Sequence, residues 1–233
     1  ANSDFEQWED VNYDSYNGPE PLNWNSFLTG TGSLKGTAGR NQVEKSTEKR
    51  PGSTGNYSAK IVSRKVLFNI IAQGNLTTGC INMGSMSATD ASGNYNYTNK
   101  DVVGQNMPFT GKPDAMKVWV KFVSSKNTNQ AKVITILHTD GYYQDPVNEK
   151  RTEPTATLVA TAEKMDVASK NEWQELVIPF VYKNTESPRY ALISFATNKT
   201  AGKGTPNDYM LIDDLSYVYL SLIHISEPTR HLR

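Results

Sequence analysis

Hydrophobic and polar residues alternate with a period of two along much of this chain. The clearest run spans residues 116–122, where Met116, Val118, Val120 and Phe122 fall on one side and Lys117, Trp119 and Lys121 on the other. Successive side chains of a strand point to opposite faces, so this pattern predicts a half-buried strand with one indole on its polar face. Short runs at 57–63 and 66–72, rich in β-branched and aromatic residues and ended by Gly or Asn, predict further strands. Residues 133–138 (Val-Ile-Thr-Ile-Leu-His) are apolar almost without a break, which predicts a strand buried on both faces. The run 173–180 ends in Pro179-Phe180, and a proline there places it at a sheet edge or a bend. Runs at 190–196 and 209–219 complete the set, and polar stretches at 29–55, 85–106, 140–154 and 197–208 predict loops. Only 161–169 carries a trace of helical period. Many short strands divided by Gly, Asn, Ser and Pro predict an all-β sandwich, with no repeat or linker to divide it.

The closing run Leu211-Ile212-Asp213-Asp214-Leu215-Ser216-Tyr217 raises a question of charge. Strict alternation puts Leu211, Asp213, Leu215 and Tyr217 on one face. If that face is the core, Asp213 is a carboxylate among apolar neighbours and must be paired, hydrogen-bonded or metal-bound. Such a closing strand, beside the acidic-aromatic opening Ser3-Asp4-Phe5-Glu6-Gln7-Trp8, is the pattern of jelly-roll β-sandwiches of the carbohydrate-binding type.

Composition narrows the class. With 37% hydrophobic and 21% charged residues, the 233-residue chain has material for a real core and is unlike a disordered one. A formal net charge of zero with scattered Lys and Arg leaves no nucleic-acid footprint. The single Cys80 excludes an internal disulfide framework and a Cys-based zinc site. No apolar run is long enough to cross a bilayer. The chain starts at Ala1 without Met, which fits a mature secreted protein, a trimmed chain or a truncated reading frame. Residues 220–230 (Leu-Ser-Leu-Ile-His-Ile-Ser-Glu-Pro-Thr-Arg) look like the translation of a sequencing-library adapter. On that reading residues 1–219 form a single jelly-roll domain and residues 220–233 a non-native tail, so His224 and His231 carry no function.

Four internal stretches and the closing strand carry a family resemblance. They are Phe5-Glu6-Gln7-Trp8 with Pro21-Leu22-Asn23-Trp24; Ser58-Ala59-Lys60-Ile61; Ala72-Gln73-Gly74-Asn75-Leu76-Thr77-Thr78-Gly79; Pro108-Phe109-Thr110-Gly111-Lys112-Pro113; and Leu211-Ile212-Asp213-Asp214-Leu215. In that order they resemble the carbohydrate-metabolism domain family of glycan-degrading gut anaerobes, whose biochemical role is itself inferred from genomic and structural analogy. The resemblance implies a galactose-binding-like jelly roll on an exported protein, periplasmic or at the cell surface, with partner domains or a lipid anchor on segments outside this sequence. Sandwiches of this type often hold Ca²⁺ where the opening and closing strands meet, which makes Glu6, Asp213 and Asp4 the expected ligands. The alternative for Asp213 is bonding to backbone amides or to a neighbouring Lys or Tyr.

Candidate chemistry is sparse. Outside the tail the only histidine is His138, so any Ser-His-Asp or Cys-His arrangement depends on it; a structural role is expected for both His138 and Cys80. Gly30-Thr31-Gly32-Ser33 and Gly202-Lys203-Gly204-Thr205 lack the spacing of a phosphate loop. Glycoside hydrolysis needs two facing carboxylates, and Asp140, Asp145, Glu149 and Glu153 share one loop with Tyr142 and Tyr143. Acidic residues on a polar loop are usually solvated, so binding is preferred to catalysis. Sugar recognition stacks flat aromatics on the pyranose ring and bonds its hydroxyls. Trp119 between Lys117 and Lys121, with Tyr142, Tyr143, Tyr95 and Tyr97 on loops that border it, is the expected platform; packing under a loop is the alternative. Trp8, Trp24 and Trp173 are assigned to structure. The expected function is a non-catalytic carbohydrate-binding module in glycan recognition or utilisation at the cell surface. A hydrolase using loop carboxylates and a structural or adhesion module are the alternatives.

Overall fold

The computed structural model describes residues 2–13, 16–38, 41–66, 69–152 and 155–220. The adapter-like residues after Leu220, and Glu153, lie outside the described residues. Strands are numbered in chain order, and two five-stranded antiparallel sheets face each other. The first runs β14 (Gln174–Pro179), β10 (Ala115–Val123), β17 (Tyr209–Val218), β4 (Ser58–Val62), β3 (Val43–Ser46). The second runs β15 (Val181–Tyr182), β13 (Leu158–Ala168), β11 (Gln130–His138), β16 (Tyr190–Ala196), β7 (Asn75–Thr77). Neighbours in each sheet are mostly far apart in sequence, because the chain repeatedly crosses between sheets. This is a jelly-roll β-sandwich: the alternation predicts the all-β sandwich, and the family resemblance implies the jelly roll. One crossing is visible in the sequence: β14 ends at Pro179 on the edge of the first sheet, and β15 then joins the edge of the second. Among the described residues no helix is long and apolar enough to cross a membrane.

The core lies between the sheets. Met116, Val118, Val120 and Phe122 of β10 are fully buried there, with Val133 and Leu137 of β11 and Ile193 and Phe195 of β16. Each such side chain contributes roughly 1.5–3 kcal/mol on burial. The near-continuous apolar run of β11 has two destinations. Val133 and Leu137 face the core, while Ile134 and Ile136 form a second cluster with Tyr143, Ala156 and Leu192 on the sheet's other face.

Three expectations are corrected. The 161–169 stretch is part of β13, an eleven-residue strand. The 85–106 stretch is not all loop: it holds β9 (Asn94–Tyr97), which pairs with β8 (Cys80–Met83) and β12 (Gln144–Asp145) in a third sheet. The face of β17 is the third. Lys117 pairs with Ser216 but Trp119 pairs with Asp213, so β17 carries an extra residue at Asp214, whose φ is +45°. This bulge breaks the alternation. Met210, Ile212, Leu215 and Tyr217 face the core, whereas Leu211 and Asp213 share the outer face with their partners Lys121 and Trp119.

The opening segment meets the closing strand, where the Leu215 N–H donates to the Ser3 carbonyl at 2.8 Å. It enters the core through Phe5 before the chain forms the hairpin β1 (Trp8–Tyr13) and β2 (Tyr16–Pro21).

Candidate functional site

The expected platform divides between opposite faces of the sandwich. Trp119 does lie opposite Met116, Val118 and Val120, but it is half-buried, with the Arg50 guanidinium 5.4 Å from its ring centroid. Arg50 is held in turn by a short ion pair with Asp214. Lys121 pairs with Glu48 at 2.6 Å and Lys117 with Glu175 at 3.2 Å. Tyr142 and Tyr143 sit beyond the second sheet, one full sandwich away. Tyr143 is buried, and Tyr142 packs on Tyr97 beneath Arg151. The structure does not bring these five residues together.

Of the remaining sequence candidates, His138, Asp140 and Glu6 have structural partners. His138 is fully buried between the rings of Tyr143 and Tyr190, at 5.1 and 5.7 Å. Its Nδ1 lies 2.7 Å from the Thr139 carbonyl and its Nε2 2.8 Å from the Thr98 hydroxyl. That network assigns the neutral tautomer with the proton on Nδ1, and burial lowers the imidazole to about 4. Cys80 is buried, and burial pushes its thiol up. Asp140 is exposed and paired with Lys100 at 2.5 Å, and Glu149 is exposed. Glu6 accepts the backbone N–H groups of Asn56 and Tyr57, both at 2.8 Å, so it serves as a cap for that turn. Asp4 is exposed. Asp213 is fully buried, and neither of its oxygens has a hydrogen-bond partner. Among the described residues no group of three or more His, Cys, Asp or Glu is placed to hold a metal ion.

A different site stands on the outer face of the second sheet. A cleft of about 470 Å³ lies there, within the roughly 300–1,000 Å³ usual for small-ligand sites. Its floor is made by outward positions of four adjacent strands. Asn75 of β7 lies beside Ala196 of β16, which lies beside Lys132 of β11; Ser194, Ile134 and Glu163 form the next rung. The third sheet forms a wall, contributing Tyr95, Asn96 and Asp145. Asn96 is locked in place by Asn75 at 3.0 Å and Ser194 at 2.8 Å. Lys132, Asp145 and Glu163 converge from three strands, and none makes a side-chain hydrogen bond or an ion pair within 4.0 Å to a described residue. Burial raises the Asp145 carboxyl; the Lys132 charge pulls it back and the Glu163 charge adds to the rise.

Of these groups, sequence reasoning named Asp145, as a loop carboxylate, and Tyr95, as a loop aromatic bordering the Trp119 platform. The available signal was the polar residue interrupting an apolar strand at outward positions, as Lys132 and Ser194 do. The wall came from β9, within a stretch expected to be loop, where Tyr95 and Tyr97 were the only signal.

No family model matches the chain, and no curated protein matches it. A provisionally assigned glycoside hydrolase from Bacteroides thetaiotaomicron superposes with a TM-score of 0.62 at 19% identity, over 94% of this chain and 71% of that one. TmCBM61, solved with β-1,4-galactotriose, gives 0.37 at 10% identity over 94% and 92% of the two chains. The family 11 carbohydrate-binding module from Clostridium thermocellum, solved with a mixed-linked β-1,3-1,4 tetrasaccharide, gives 0.35 at 11% identity over 91% and 96%. The first of these likenesses is one of fold.

Proposed function

We propose that this domain binds carbohydrate non-catalytically in the cleft on its second sheet, as part of an exported protein that recognises or helps to use glycans at the cell surface. The observation that carries the reading is the floor and wall of that cleft. Among the described residues Lys132, Asp145 and Glu163 have no side-chain partners, and they stand beside the ordered amides of Asn75 and Asn96. Such groups donate to and accept from a ring of hydroxyls, and the lock on Asn96 lowers the ordering cost of binding.

The test is titration calorimetry against soluble oligosaccharides. Lys132→Ala combined with Glu163→Ala is expected to weaken binding tenfold or more, since hydrogen bonds to charged groups are each worth about 1.5–3 kcal/mol. Trp119→Ala is expected to leave affinity unchanged. The opposite result, loss with Trp119→Ala and none with the cleft variant, would move the site to the other face.

One observation favours a second reading. Asp145, raised by burial, and Glu163 share the cleft, as an acid and a carboxylate do in glycoside hydrolysis. Release of reducing ends from a bound oligosaccharide, abolished by Asp145→Asn, would establish it over simple binding.

A further inference from the structure

We propose that the cleft is built for an amphiphilic carbohydrate, a sugar bearing an aliphatic substituent such as an acyl or alkyl group. The inference rests on the carbohydrate-binding reading and specifies its ligand class. Beside the polar groups already described, a large part of the lining is aliphatic or thioether. Val66, Ile70 and Ile71 contribute from the segment before β7, Met86 from beyond β8, and Met165 from β13. Met86 is 49% exposed, and Val66, Ile70, Ile71 and Met165 are each half-buried.

A bare pyranose offers its C–H face to flat aromatic rings, and the described residues of this cleft supply few of them. Among the described residues its aromatic lining is Phe27 and Tyr95. Phe27 is buried in its own cluster with Ile81 and Met83. Tyr95 packs edge-on against Tyr97, with centroids 5.6 Å apart at 67°, which leaves one ring among the described lining residues. Branched aliphatic and methionine side chains instead close around a flexible apolar chain, because the thioether adapts its rotamers to the guest. Unpaired polar groups and an exposed aliphatic wall in one cleft complement a ligand that is itself divided in that way. A purely apolar ligand would bury Lys132, Asp145 and Glu163 without partners, at a cost.

Titration of the protein with methyl, butyl and hexyl β-D-glucosides and β-D-galactosides, below micelle-forming concentrations, reads this out directly. Full burial of one methylene is worth about fourfold in affinity and half burial about twofold. Affinity is therefore expected to rise by about thirtyfold or more from methyl to hexyl for the sugar that fits. Ile71→Asn combined with Met165→Gln, checked for folding by thermal unfolding, should flatten that rise, and Trp119→Ala should preserve it. Equal affinity for methyl and hexyl glycosides would overturn the inference while leaving the carbohydrate-binding reading standing. Hexanol binding as tightly as the hexyl glycosides would overturn both, since the sugar would then contribute nothing. A rise with chain length that survives the Ile71/Met165 variant would place the alkyl chain elsewhere and also overturn the inference.

Discussion

Trp24→Ala is expected to lower the unfolding free energy by about 3–5 kcal/mol, the range for removing a large buried aromatic. The indole is 2% exposed. It packs on Phe5 and Phe195, with ring centroids at 5.2 and 5.7 Å, so one side chain joins the opening segment to β16 of the second sheet. Its N–H donates to the Asn2 carbonyl at 3.0 Å, and the Asn2 amide donates in turn to the carbonyls of Gln7 at 2.7 Å and Leu22 at 3.2 Å. Losing the indole empties the core at this point and also frees residues 2–7. Domains of this kind have about 5–15 kcal/mol in all, so the variant should unfold at much lower urea, with a melting temperature down by about 6–20 °C. Trp24→Phe keeps most of the ring packing and leaves the Asn2 carbonyl without its donor, which should cost about 1–3 kcal/mol. A loss below about 1 kcal/mol for the alanine variant would mean that residues 2–7 stand outside the cooperative unit.

The assignment of Trp24 to structure was legible because it sits in a dense aromatic-apolar motif, and β10 was legible because its alternation is unbroken. What the chain hides is any feature made by a departure from alternation or by strands distant in sequence. The bulge at Asp214 is of the first kind. A single residue at φ +45° puts the two halves of β17 out of phase, so an alternation read through it that places Leu215 and Tyr217 at the core misplaces Leu211 and Asp213. The cleft is of the second kind. Lys132, Asp145 and Glu163 become neighbours only through the β11–β13 pairing and the docking of the third sheet. Trp119 and Tyr142 look like parts of one aromatic surface in the sequence, yet Trp119 is on the outer face of the first sheet and Tyr142 on a loop beyond the second. Exposed aromatics and lysines signal surface; which surface is decided by sheet order, which local pattern does not carry.

Asp213→Asn is expected to stabilise the protein at pH 7 by about 2 kcal/mol, the reverse of what a partnered carboxylate would give. Removing one member of a buried pair typically costs about 3–5 kcal/mol. Asp213, however, is fully buried with neither oxygen hydrogen-bonded, because the Arg50 guanidinium is paired with Asp214 instead. Burial first, and the Asp214 charge second, push the Asp213 carboxyl up from 3.8 to about 6, against a partial offset from the nearby backbone N–H groups of Arg50 and Asp214, which approach it without hydrogen-bond geometry, and from the Arg50 charge. Between those two values the native state binds the proton more tightly than the unfolded chain. Stability on account of this group is therefore greatest below pH 3.8, falls as pH rises, and is lowest above pH 6. Urea denaturation at intervals from pH 4 to pH 7 should show that decline in the wild type and a shallower one in Asp213→Asn, whose amide has no charge to desolvate. An Asp213→Asn variant that is destabilised at pH 7 would show that the carboxylate has a partner in solution. Added Ca²⁺ tells which kind: a melting temperature raised at pH 7 in the wild type, and unmoved in Asp213→Asn, would identify a cation bound at Asp213, whereas no response to Ca²⁺ or EDTA with the predicted pH profile would leave a buried acid that the fold tolerates at a cost.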